Sequence, residues 1–186
     1  MYVVFVELLG KHAQRDAQDL QDACAHGFEQ DWIADACFFD TAAAQEECWK
    51  IREDVAALEL HAPHNQHFDI SIPIGEIGKI MNDILSELHH IEGVLGAYPF
   101  GHVADGNMHL IVGKENNSKQ LTKQINDIVY QPLAAVKGSI SAEHGIGIDK
   151  KSYLKISRSQ DEIKLMKGLK QLFDPKNILN PGRIVN

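Results

Sequence analysis

Two short runs hold the residues of this chain best suited to chemistry. Residues 101–109 read Gly-His-Val-Ala-Asp-Gly-Asn-Met-His. Asp105-Gly106 is a strong hairpin-turn dipeptide. With those two residues as the loop, Ala104 faces Asn107, Val103 faces Met108 and His102 faces His109. Directly opposed residues hold their Cβ atoms about 4.5–5.5 Å apart on one face of a sheet. The turn therefore predicts two paired imidazoles, with Ala104 and Asn107 on the same face by period-two alternation. Such a pair suits a divalent transition metal, zinc first, with manganese or iron on the same ligands.

The second run, residues 141–147, reads Ser-Ala-Glu-His-Gly-Ile-Gly. Glu143 is the best candidate for a third ligand. A His2Glu set with open positions is a catalytic rather than a structural geometry. His144 beside it is then free for proton transfer. Gly145 and Gly147 allow close backbone approach or positive φ. The same histidine pair also reads as a polar contact on a half-solvated sheet face, since neither HxxxxxxH nor Glu-His-Gly is specific alone. His61, His64 and His67 straddle Pro63 and read as solvated loop.

The elements that must position these groups alternate along the chain. Strands are expected over 2–9, 31–39, 67–72, 93–103, 107–113 and 138–142. Helices are expected over 11–28 with Gly27 as the stop, over 41–59 with Thr41 as N-cap, over 74–91 after Pro73, over 119–136 and over 159–173. Ile77, Ile80, Met81, Ile84, Leu85 and Leu88 form one amphipathic stripe. Asp174-Pro175 ends the last helix. This order predicts an α+β fold, a largely antiparallel sheet with helices mainly on one face. A β-α-β pattern in each half points to duplicated ferredoxin-like halves. No GxGxxG follows a strand, and no P-loop is present.

With 186 residues, the chain has the length of one ordinary domain. Lys and Arg number 18 against 26 Asp and Glu, a net charge of −8 that argues against nucleic acid as the main partner. No apolar run approaches the ~20 residues of a membrane span. Three widely spaced cysteines, Cys24, Cys37 and Cys48, form no disulfide framework and suit a reducing compartment. The opening lacks the basic segment of a signal peptide and reads as a strand that starts at once, as in a piece of something longer. A cytoplasmic setting is expected, with any membrane association made through a partner.

Taken together, these runs resemble a known family. Residues 101–109 resemble the GHxGDGNxH motif of the FAD-linked oxidase C-terminal domain family. Ser-Ala-Glu-His-Gly-Ile-Gly-Ile-Asp-Lys, ending at Lys150, resembles its second motif, and residues 165–184 resemble its ending. Trp-Lys-Ile-Arg-Glu at 49–53 and Phe-Asp-Ile-Ser-Ile-Pro at 68–73 fit the same family in order. That family includes D-lactate dehydrogenases, the glycolate oxidase D subunit and D-2-hydroxyglutarate dehydrogenases.

The resemblance implies a flavoenzyme that oxidises a D-2-hydroxy acid to the 2-oxo acid. Residues 1–186 would form its single C-terminal substrate- and metal-binding domain. FAD would be held mainly by a separate N-terminal domain, so this chain alone would be catalytically incomplete. By position, His102, His109 and Glu143 match the metal ligands. Asn107 and His144 match substrate-contacting residues, with His144 the base. Arg52 matches the arginine that holds the substrate carboxylate, a task suited to its planar fork. Lys150 and His67 complete the implied substrate-binding set.

Three positions depart from the family pattern. Ala104 replaces a glycine. His67 stands where D-2-hydroxyglutarate dehydrogenases have lysine, and Ala56 where they have threonine; both weaken the case for that substrate. Expected partners are the small hydroxy acid, the FAD domain, a second copy in a homodimer, and an electron carrier or membrane surface. Two alternatives stay open: a non-catalytic, metal-dependent hydroxy-acid-binding module, and a metal-free flavoenzyme of the same superfamily.

Overall fold

Polar, Ala-rich sequence makes the first part of the chain helical. The structure, a computed structural model, describes residues 2–185. It divides into two compact units, Met1–Glu53 and Asp54–Asn186. In the first unit, α1 spans Ala13–Glu29 and α2 spans Ala42–Glu53. The Thr41 hydroxyl accepts the Ala44 N–H at 3.2 Å, the expected N-cap. Gly27 does not end α1, which runs two residues past it.

Residues 2–9 and 31–39 form no strand, contrary to the sequence expectation. Val3 and Leu9 are largely exposed. β-branched composition marks a residue that fits a pleated, half-buried surface, and without a neighbouring strand it builds no ladder. Among the described residues, strands occur in the second unit alone, so the duplicated ferredoxin-like sheet is not formed.

The second unit begins with the short helix α3, Val55–Glu59, capped by Asp54. The chain then builds β1 (His64–Ser71), α4 (Ile77–His89), β2 (Val94–His102), β3 (Asn107–Lys114) and α5 (Lys119–Tyr130). The strands form an antiparallel sheet of order β1-β3-β2, with β3 central. Phe68, Ile70, Met108, Leu110 and Val112 are buried on one face. Against them pack Ile80, Met81, Ile84 and Leu88 of α4 and Leu121, Ile125 and Val129 of α5. Those spacings of three and four are one stripe of each helix. The Ser118 hydroxyl accepts the Leu121 N–H at 3.2 Å and starts α5. The α+β architecture with helices on one face is therefore the observed one.

After α5 the chain turns through a 3-10 segment, Gln131–Ala134. Residues 138–142 make no full strand. They contribute a single bridge, in which Ser71 and Ser139 exchange backbone hydrogen bonds of 2.8 and 2.9 Å. Helices α6 (Leu154–Ser157) and α7 (Gln160–Phe173) follow, the latter opened by a Ser159–Glu162 capping box. No helix among the described residues is long and apolar enough to cross a membrane.

Candidate metal and substrate site

Alternation along a strand puts every second side chain on the face away from the core. On that face β1 presents His67, Asp69 and Ser71, β3 presents Asn107, His109 and Ile111, and β2 presents Tyr98, Phe100 and His102. The register places Asp69 opposite His109 and His109 opposite Phe100, one row across all three strands. The next row is Ser71, Asn107 and His102.

The hairpin differs from the expected one. Its loop is Val103–Gly106, so His102 opposes Asn107 rather than His109, and Ala104 lies in the turn. A two-residue type I′ loop needs positive φ at both positions. Gly106 has φ +78°, but Asp105 is not among the positive-φ residues. The Gly106 N–H closes the turn on the Val103 carbonyl at 3.3 Å, and the Asp105 carboxylate accepts the Asn107 N–H at 3.0 Å. The Ile72 N–H donates to the Gly106 carbonyl at 2.9 Å. A Cβ at position 106 would stand 2.2 Å from the Ile72 carbonyl oxygen, so only glycine fits. The register is displaced by two residues, which preserves the face. His102 and His109 are thus diagonal neighbours on one face, with ring centroids 6.3 Å apart.

Glu143 and His144 reach this face through Asp69, a residue the sequence reading left without a role. Asp69 is fully buried. Its carboxylate accepts the Ser141 hydroxyl and the N–H groups of Ala142, Glu143 and His144, all at 2.9–3.1 Å. Lys150 Nζ lies 3.5 Å from it and also donates to the Ser141 hydroxyl and the Asp69 carbonyl. Burial alone raises the pKa of such a carboxylate; the hydrogen bonds from His144, Glu143 and Ser141 and the charge of Lys150 outweigh it and hold the group at about 2. The signal in the sequence was a carboxylate set between the two apolar residues of β1, Phe68 and Ile70, on the face that β3 fills with His109.

The linkage has a definite sign. A carboxylate depressed from 3.8 to about 2 contributes stability above pH 4. That contribution, about 2 kcal/mol, should disappear as pH falls from 4 to 2. Acid unfolding followed by near-ultraviolet circular dichroism should lose this component in Asp69→Asn; an unchanged acid limb would refute it.

Among the described residues, two sets bring their ligand atoms within 4.8 Å of one another, His102–His109–Glu143 and Asp69–His109–His144. The first fits a divalent metal better. Both Asp69 oxygens in the second set already accept N–H or O–H groups. Burial pushes the His109 pKa below its usual 6.5, against the pull of Asp69 and Glu143, and favours the neutral imidazole that a metal requires. Glu143 Oε1 accepts from Asn107 Nδ2, while Asn107 Oδ1 is buried with no partner. His144 stacks on His109 with centroids 5.7 Å apart and planes 24° from parallel, and Phe100 flanks His109 at 5.3 Å.

The other sequence-derived candidates take different places. Lys150, expected to contact substrate, is spent on Asp69 and Ser141. His67 shares the site face, but its Nε2 lies 3.3 Å from Glu59. His64 bonds Asn117 at 3.0 Å and His61 lies against Tyr98, so those three histidines go to separate partners. Arg52 lies on α2, in the first unit. Cys24, Cys37 and Cys48 are free thiols, also in that unit.

Residues 1–184 match the family described as FAD linked oxidases, C-terminal domain. The chain belongs to that family. It is 35% identical over 189 residues to a D-2-hydroxyglutarate dehydrogenase of Xanthomonas citri pv. viticola, covering 98% of this chain and 39% of that protein. It is 30% identical over 184 residues to the mitochondrial D-2-hydroxyglutarate dehydrogenase of Arabidopsis thaliana, covering 99% and 32%. A Schizosaccharomyces pombe protein provisionally named a mitochondrial D-lactate dehydrogenase is 30% identical over 196 residues, covering 99% and 37%. The chain spans about a third of the length of these relatives.

Proposed function

We propose that this chain is the substrate- and metal-binding part of an FAD-dependent dehydrogenase that oxidises a D-2-hydroxy acid to the 2-oxo acid. The convergence of His102, His109 and Glu143 beside His144 on one sheet face carries this reading, and membership of the FAD-linked oxidase family supports it. In the whole protein an N-terminal domain holds the FAD. His102, His109 and Glu143 hold a divalent metal, zinc before manganese or iron. Bound there, a metal would supply Lewis-acid polarisation of the substrate hydroxyl, and FAD would supply the hydride acceptor.

The chain's own residues bind the acid and move the proton. The family resemblance alone assigns Arg52 to the substrate carboxylate, a task that its planar fork suits. Asn107 turns its unpartnered Oδ1 to the substrate while Nδ2 steadies Glu143. His144 accepts the hydroxyl proton as general base. Partial burial lowers the His109 pKa and so favours the neutral imidazole.

Anaerobic mixing tests the proposal. The whole flavin-loaded protein should lose its visible flavin absorbance on mixing with D-2-hydroxyglutarate or D-lactate, and not with the L enantiomers. Chelation should block that reduction and added zinc should restore it. A protein that no D-2-hydroxy acid reduces, or that chelation leaves fully active, refutes the corresponding half of the reading.

A further inference from the structure

We infer that Asp69 is the positioning residue of this site: by accepting three consecutive N–H groups, it holds Glu143 and His144 where they meet His102 and His109. This deepens the proposed function and rests on it for the roles of Glu143 and His144. The geometry that carries it is local and complete. The segment after Ser139 leaves the sheet edge at its bridge with Ser71 and then wraps one carboxylate with the amides of Ala142, Glu143 and His144.

Successive amides converging on one anion form a concave nest, and the backbone between them has little freedom left. The two side chains leaving that nest are the carboxylate and the imidazole of the site. Lys150 closes the loop from behind, bonded to Ser141 and the Asp69 carbonyl. Asp69 Oδ1 lies 3.9 Å from His109 Nδ1, so His109 feels its charge without a hydrogen bond, while its hydrogen bonds go to the loop.

Asn at position 69 keeps the shape but turns an NH2 group against amide donors, leaving buried N–H groups unpaired. In the whole flavin-loaded protein, Asp69→Asn should lower kcat about 100-fold, with KM for the hydroxy acid changed less than about three-fold. Amide exchange at 142–144 should rise about 100-fold, while exchange in β1, β3 and α4 stays as in the parent. Zinc affinity, read by competition with a chromophoric chelator, should weaken about 10- to 100-fold.

A folded Asp69→Asn protein with parental kcat, or with amides 142–144 still protected, overturns the inference. So does a rise in exchange spread evenly over the chain, which marks a merely structural residue. Should Asp69→Asn fail to fold, Ser141→Ala decides. It removes one donor to the same carboxylate and should speed exchange at 142–144 about ten-fold with a smaller fall in kcat. No change in either overturns the inference. A parent protein that retains no zinc refutes the metal reading instead, because exchange and kcat report on Asp69 without it.

Discussion

His109→Ala should abolish zinc retention and lower turnover of the flavin-loaded protein by about 1,000-fold or more, while the fold survives. Lewis-acid stabilisation by a bound metal is worth several kcal/mol, and each 1.36 kcal/mol is about ten-fold in rate. His109 is the residue common to both possible ligand sets, so its loss empties either one. The fold should persist because His109 faces away from the core. The apolar face is made by Met108 and Leu110, its neighbours on β3. The loop at 141–144 hangs on Asp69, whose hydrogen bonds do not involve His109. Metal analysis, steady-state kinetics and thermal unfolding on one preparation test all three statements. Full metal-independent activity would remove the metal centre from the mechanism.

His144→Gln should lower the rate of flavin reduction by about 100- to 10,000-fold and leave zinc content unchanged. That is the range contributed by a positioned general base. The substitution spares the loop because position 144 is tied to Asp69 through its backbone N–H. Glu143 therefore stays beside His102 and His109, and only the proton acceptor is lost. Single-turnover flavin reduction separates this step from product release. A rate within ten-fold of the parent would reassign the base.

The two variants lose rate for different reasons, and metal content separates them. His109→Ala should lose both metal and rate. His144→Gln should keep the metal and lose rate alone. Asp69→Asn should stand between them, with weakened metal and a fall in kcat, because it disturbs the placement of both groups without removing either.

Local sequence determined much of the frame. The stripe through Ile80, Met81, Ile84 and Leu88 and the four-residue spacing of Leu121, Ile125 and Val129 made two helices legible, because helical periodicity is a property of the segment itself. The face shared by His102 and His109 was legible for the same reason. A strand alternates with period two, so a turn lengthened by two residues cannot move a side chain to the other face. The motif at 141–147 could be identified as chemical without any knowledge of where it would lie.

Partnership between distant segments was left to tertiary structure. Residues 2–9 and 31–39 have strand composition, yet a strand exists only where another chain segment offers N–H and C=O groups in register. The turn at Val103–Gly106 is tied to Ile72, more than thirty residues earlier, whose N–H donates to the Gly106 carbonyl and whose own carbonyl leaves no room for a Cβ there. Asp69 and His144 are 75 residues apart. Nothing in either local sequence says that one carboxylate receives the amides of the other segment, or that Lys150 turns inward to support it. The chemistry of each residue was written in the chain; the buried carboxylate that brings these residues together emerges only when the sheet edge and the loop fold against each other.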